Sequence, residues 1–152
     1  MSLTQAATLI RRSEGLRLKP YRDAAGHWTV GYGHKMTNAW AAAPHGLRQW
    51  EQKITKVKAE ELLAVDMLIA AGHVDRLVKR HLSDGQRCAL VSFVFNLGGG
   101  AFKRSTLLRR LNERHDGLVP TELLRWVRGG GIVLAGLVTR RLAEAQLFWR
   151  GT

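Results

Sequence analysis

The stretch Arg12–Lys35, RSEGLRLKPYRDAAGHWTVGYGHK, is where the periodicity of the chain changes, and its reading decides the fold. Ahead of it Leu3, Ala6, Ala7 and Ile10 recur at i, i+3, i+4 and i+7, which predicts a helix from Thr4 to about Ser13. Gly15 is the residue type that best tolerates a left-handed stop. Beyond it His27, Thr29 and Gly31 alternate with Trp28, Val30 and Tyr32, which predicts strands of a small antiparallel sheet with a turn at Asp23–Gly26. Glu14 falls at the close of the helix, where a carboxylate meets the partial negative charge of the carbonyl end. An unfavourable position with no visible structural gain marks it as a residue in use.

Downstream, the Trp- and Ala-rich segment Asn38–Gln52 follows no period and stays unassigned. Thr55 is an N-cap residue type and opens a long helix to His81, with Leu62, Ile69 and Leu77 on its apolar side, broadened by Val65, Ala70 and Val74. Ser83–Gln86 has the capping-box pattern and opens the apolar helix RCALVSFVFNL, which Gly98–Gly100 ends. Ser105 caps another helix, Pro120 fits a first helical turn, and Gly129–Gly131 reads as a loop. The last helix, TRRLAEAQLFW, puts Leu142, Ala145 and Trp149 on one side. Strands and helices are segregated along the chain, which is the α+β class. The expected architecture is one domain over 1–152: a small antiparallel-sheet lobe, about 15–53, a larger helical lobe, 1–14 and 54–152, and a cleft between them.

The net charge is +12, and from Gly85 onward eleven Lys and Arg face four acids. Such a surface attracts polyanions: nucleic acid, anionic lipid, lipopolysaccharide or wall polymer. Cys88 is the only cysteine and lies in an apolar run, so a buried inert thiol is expected, with no disulfide and no cysteine zinc site. No apolar run is long enough to span a bilayer, and the first residues lack the order of a secretory signal.

Glu14, Asp23 and Thr29 can meet on one side if the hairpin folds back on the helix end. Glycosidic cleavage needs a proton donor for the leaving oxygen and a second group for the water or the cationic sugar. Glu14 suits the first role, Asp23 the second, and the Thr29 hydroxyl can hold a water beside Asp23. Spacing alone is weak support, since two acids this far apart are common. The segment EGLRLKPYRDAAGHWTVGYGH, however, resembles the active-site stretch of phage lysozymes, the endolysin muramidases of glycoside hydrolase family 24, whose pattern is Glu, eight residues, Asp, five residues, Thr. SFVFNLGGGAFKRSTLLRRLN (Ser92–Asn112) resembles that family's helix, glycine loop and Ser-Thr-Leu-Leu motif. RWVRGGGIVLAGLVTRRLAEAQLF (Arg125–Phe148) resembles its C-terminal segment.

The resemblance implies Glu14 as general acid, Asp23 handling the water or stabilising the transition state, Thr29 bonding that water, and inversion at the anomeric carbon. It implies a lysozyme-like fold and hydrolysis of the β-1,4 bond between N-acetylmuramic acid and N-acetylglucosamine. It also implies a His34–Asp66 ion pair of structural character, and substrate contacts from Gly33, Phe95, Asn96 and Ser105. Phe95 reads evenly as a stacking or a core residue, and Ser105 reads first as a helix cap and second as a substrate contact. No cofactor or metal is expected. The expected partner is bacterial peptidoglycan, met by a monomer, with transient contact to anionic lipopolysaccharide or lipid through the basic C-terminal half and no specific nucleic acid. The expected location is the host cytoplasm until a holin releases the enzyme to the periplasm. Three rival readings remain: a nucleic-acid-binding module, membrane disruption by the cationic last helix, and a lytic transglycosylase.

Overall fold

The computed structural model describes residues 2–36 and 52–150, so most of the unassigned segment 38–52 lies outside the described residues. The first helix, α1 (Thr4–Glu14), leads into three short strands, β1 (Arg17–Arg22), β2 (Trp28–Gly31) and β3 (His34–Lys35). The long helix α2 (Lys56–Leu77) is followed by α3 (Asp84–Leu97), α4 (Gly99–Lys103) and α5 (Thr106–Asn112). A 3₁₀ turn at Asp116–Leu118 precedes α6 (Val119–Leu124), and a ribbon of β4 (Arg128–Gly129) and β5 (Ile132–Val133) precedes α7 (Ala135–Arg150). The class is α+β. Contacts divide the chain into two compact units, Ile10–Asp66 and the pair of segments Met1–Leu9 and Met67–Thr152.

In the unit Ile10–Asp66 the strands pair antiparallel in the order β1-β2-β3. Tyr21 lies opposite Thr29 and Arg22 opposite Trp28, and Val30 lies opposite His34. The β1–β2 connection is a turn closed by Gly26 N–H donating to the Asp23 carbonyl (2.9 Å), with Asp23 N–H donating to the His27 carbonyl (2.9 Å). Gly26 sits at φ +84°, so this is the three-residue hairpin loop that needs a left-handed glycine at its end. The start of α2 lies against β2 at close range: a Cβ on Gly31 would be 3.3 Å from that of Ala59. Ile10, Val30 and Ala59 are fully buried here, and burying a side chain such as Ile10 contributes about 1.5–3 kcal/mol.

In the other unit, α3 is buried on nearly all sides, as its largely apolar sequence dictates. Its capping box is closed: Gln86 N–H donates to Ser83 Oγ (3.3 Å) and Ser83 N–H to Gln86 Oε1 (3.2 Å). Phe93, Phe102, Leu107, Leu111, Leu123 and Phe148 fill the core around it. Cys88 is buried, and its thiol donates to the Ser2 carbonyl at 3.3 Å.

Four expectations are corrected. The long helix ends at Leu77 rather than His81, because the Asn112 side chain takes over its last bonds, donating to the Leu77 carbonyl (3.1 Å) and accepting from Lys79 N–H (2.8 Å). Its buried face carries Ala59, Leu63, Met67, Ala70 and Val74, whereas Val65 and Ile69 are 52% and 60% exposed. On α7, Leu142 and Trp149 are exposed, and the buried face is Arg140, Arg141, Glu144, Ala145 and Phe148. The expected loop at Gly129–Gly131 is part of the β4–β5 ribbon, with Gly129 opposite Ile132 and both turn glycines at positive φ.

Candidate active site

Glu14 continues the stripe of Ala7 and Ile10 by one more turn of α1, which leaves it half-buried at the helix end. Gly15 N–H donates to the Arg11 carbonyl (3.0 Å) and Gly15 takes φ +70°, so the chain leaves the helix immediately after the acid. Gly33, at φ +77°, lies directly against the carboxyl: a Cβ there would be 2.9 Å from Glu14 Oε2 and 3.1 Å from Cδ. Only glycine meets both conditions, a left-handed backbone and no side chain.

The same region is braced by a carboxylate that the sequence reading did not single out. Glu60 on α2 accepts from Arg11 Nε (3.1 Å) and Arg11 Nη2 (2.6 Å) and from the Tyr32 hydroxyl (3.0 Å). Arg11 is one helical turn before Glu14, and Tyr32 is the residue before Gly33. One carboxylate thus ties down both chain segments that meet at Glu14. The Arg11 guanidinium holds the Glu60 carboxyl below its ordinary value, against burial, with help from the Tyr32 hydroxyl. No local pattern betrays this bracing, because its partners are 49 and 28 residues apart in sequence.

Asp23 begins the hairpin loop. Its Oδ1 accepts from Ala25 N–H (2.9 Å) and His27 N–H (2.8 Å). These bonds, His27 first and then Ala25, hold its carboxyl below the ordinary value against partial desolvation. Its Oδ2 has no hydrogen-bond partner among the described residues. The pairing of Tyr21 with Thr29 puts Tyr21, Asp23, His27 and Thr29 on one face of the hairpin. Asp23 and Thr29 are diagonal neighbours there, a separation of roughly 7–8 Å between backbones. Thr29 is buried, and its hydroxyl donates to the His27 carbonyl (3.1 Å). With its proton spent, the hydroxyl faces any further partner as an acceptor.

His34 Nδ1 lies 2.8 Å from Asp66 Oδ2, both within the unit Ile10–Asp66, which ties β3 to α2. In the other unit, Phe95 and Asn96 occupy the last turn of α3 and are half-buried. The core ring of that turn is Phe93, edge-on to Phe102 and Trp126 at 6.1 and 5.7 Å. The Asn96 side-chain oxygen accepts from Arg141 Nη2. Ser105 is placed as the helix cap that was its first reading. Its hydroxyl donates to the Phe102 carbonyl (2.7 Å) and accepts from Leu108 N–H (3.1 Å), so it is committed to capping α5. Among the described residues no group of His, Cys, Asp and Glu is placed to hold a metal ion, and no helix is long and apolar enough to cross a membrane.

Residues 11–144 match a family described as Phage lysozyme. The endolysin of Bacillus phage PZA is 39% identical over 155 residues, covering 100% of this chain, which spans only 57% of that protein's length. The endolysin of Acyrthosiphon pisum secondary endosymbiont phage 1 is 39% identical, with 92% of each chain covered. Among solved structures, the muramidase domain of SpmX from Asticaccaulis excentricus superposes with a TM-score of 0.81 at 34% identity, over 95% of each chain.

Proposed function

The chain belongs to the phage lysozyme family, and from that premise we propose that it is a muramidase, an endolysin that hydrolyses the β-1,4 bond between N-acetylmuramic acid and N-acetylglucosamine in bacterial peptidoglycan. Glu14 donates its proton to the bridging oxygen as the bond to the anomeric carbon breaks. A water adds to that carbon and gives its proton to Asp23. The observation that carries this reading is the complementary state of Asp23 and Thr29. One carboxylate oxygen is pinned by two amides and the other is open, while the Thr29 hydroxyl is left as an acceptor. A water between them meets two acceptors, spends both hydrogens on them, and turns a lone pair outward. That arrangement supports attack by water and an inverting course.

Gly33, Phe95, Asn96 and, beside its capping role, Ser105 are the proposed sugar contacts, and His34–Asp66 is a structural pair. The reading takes residues 1–152 as one lysozyme-like domain acting as a monomer without cofactor. It places the enzyme in the host cytoplasm until a holin opens the way to the wall. It includes transient contact with the anionic envelope through the basic C-terminal half. There a concavity of about 330 Å³ is lined by Lys103, Arg104 and Arg109, none of which pairs with a carboxylate among the described residues.

The test is turbidity loss of exposed cell walls, wild type beside Glu14→Gln, with the new ends identified. Hydrolysis yields a reducing muramic acid end, first in the anomeric form opposite to the substrate's. An anhydro sugar would instead identify a lytic transglycosylase, and undiminished lysis by the Glu14 variant would remove Glu14 from the chemistry.

A further inference from the structure

Among the described residues, the polar side chains with no exposed surface form one network with Arg140, in the unit that contains α3 and α7. Arg141, Glu144 and Ser92 have no exposed surface, and Arg140 is 3% exposed. Glu144 accepts from the Ser92 hydroxyl (2.7 Å), from Arg140 Nε (3.4 Å) and from Arg141 Nη1. Burial pushes the Glu144 carboxyl up, and Arg141, Arg140 and Ser92 pull against it. Arg140 Nη2 donates to the Ser92 carbonyl at 3.1 Å.

Arg141 is fixed on every side. Its Nε donates to the Trp126 carbonyl (3.1 Å), its Nη1 to Glu144 and its Nη2 to Asn96 Oδ1. The guanidinium carbon lies 4.9 Å from the centre of the Phe93 ring, a cation–π contact that also sets the plane of the group.

A guanidinium has donors and no acceptor. It can therefore hold Asn96 only by the carbonyl oxygen; a flipped amide would set N–H against N–H. The amide nitrogen of Asn96 is thereby turned away from the network. It has no hydrogen-bond partner among the described residues and is not among their buried unsatisfied atoms, so it reaches solvent.

We propose that Arg141, held by Glu144, is a positioning residue that fixes Asn96 as a pure donor to a sugar oxygen, the carbonyl of an N-acetyl group first. This rests on the muramidase reading and adds to it the polarity of one contact and the residues that impose it. Glu144 keeps two adjacent guanidiniums from standing buried without a counter-charge.

The experiment separates polarity from packing. Asn96→Asp keeps an oxygen for Arg141 and adds a favourable charge, but presents an acceptor outward. Its expected behaviour is an unchanged far-ultraviolet spectrum, a melting temperature at or above wild type, and at least a tenfold loss of affinity for tri-N-acetylchitotriose. Affinity is measured by calorimetry in the Glu14→Gln background, so that turnover does not interfere. Wild-type affinity in Asn96→Asp overturns the proposal. Arg141→Lys is the second variant: where it folds, it should raise KM on peptidoglycan more than it lowers kcat, and an unchanged KM also overturns the proposal. Failure of the muramidase reading appears separately, as wild-type enzyme that releases no new reducing muramic acid ends from exposed cell walls.

Discussion

Asp23 carries a defined state before any substrate arrives. Its carboxyl sits below the ordinary value because the His27 and Ala25 amides stabilise the anion. If ionised Asp23 receives the proton of the attacking water, activity persists as pH falls through the usual carboxylate range and fails only at the depressed value. A rate profile on wall fragments should therefore place its acid limb below that of an ordinary Asp, and an acid limb at or above pH of about 4 would contradict it. Asp23→Ala should lower kcat by about 10²–10⁴-fold, measured in the same assay, and also lower the melting temperature through loss of the two turn hydrogen bonds. Gly33→Ala tests a different kind of contact. The new methyl would meet the Glu14 carboxyl at 2.9 Å from a backbone at φ +77°. The expected result is a loss of about 1–2 kcal/mol in unfolding free energy and a fall of roughly 10- to 100-fold in kcat through a displaced acid.

At the level of the elements, the bracing of α1, the sheet and the start of α2 by Glu60 has a pH signature. The Arg11 guanidinium depresses the Glu60 carboxyl. The stabilisation is therefore present above the unfolded value and is lost as pH falls through the depressed folded one. Both side chains are partly exposed, at 40% and 33%, so solvent screening limits the pair to about 0.5–1 kcal/mol. Glu60→Gln should lower the melting temperature at neutral pH and narrow the gap to wild type in acid, as followed by circular dichroism. A gap that does not change with pH would remove the charge from the account. The β1–β2 hairpin was legible in advance because Asp23 and Gly26 are the residue types its turn demands. The packed face of α2 was not. Leu62, Val65, Leu68, Ile69 and Leu77 make that helix apolar nearly all round, so periodicity could not choose between that side and the one carrying Ala59, Leu63 and Val74. α7 misled for the opposite reason. The expected stripe of Leu142, Ala145 and Trp149 passed over Arg140, Arg141 and Glu144, whose burial is tolerable only because they satisfy one another and α3. Glu14, Asp23 and Thr29 were legible through the resemblance of their segment to the family's active-site stretch, their spacing alone being weak support, whereas the contacts around Glu14, Gly33 on its carboxyl and Glu60 on Arg11 and Tyr32, join distant segments.

For the molecule as a whole, a net charge of +12 sets how it meets a polyanion. The screening length shrinks from about 30 Å at 0.01 M salt to about 10 Å at 0.1 M. Wall hydrolysis should accordingly slow as ionic strength rises, mainly through kcat/KM, while turnover of a short uncharged oligosaccharide should hardly respond. Equal salt sensitivity on both substrates would place the effect in the chemistry instead of the encounter. The solitary thiol at Cys88, sealed in α3 and bonded to the Ser2 carbonyl, turns the protein into its own timekeeper. A colourless disulfide reagent added to the native enzyme can react only during moments when that helix parts from its surroundings. The chromophore it releases then counts those excursions directly, with no label to attach and no second thiol to confuse the record.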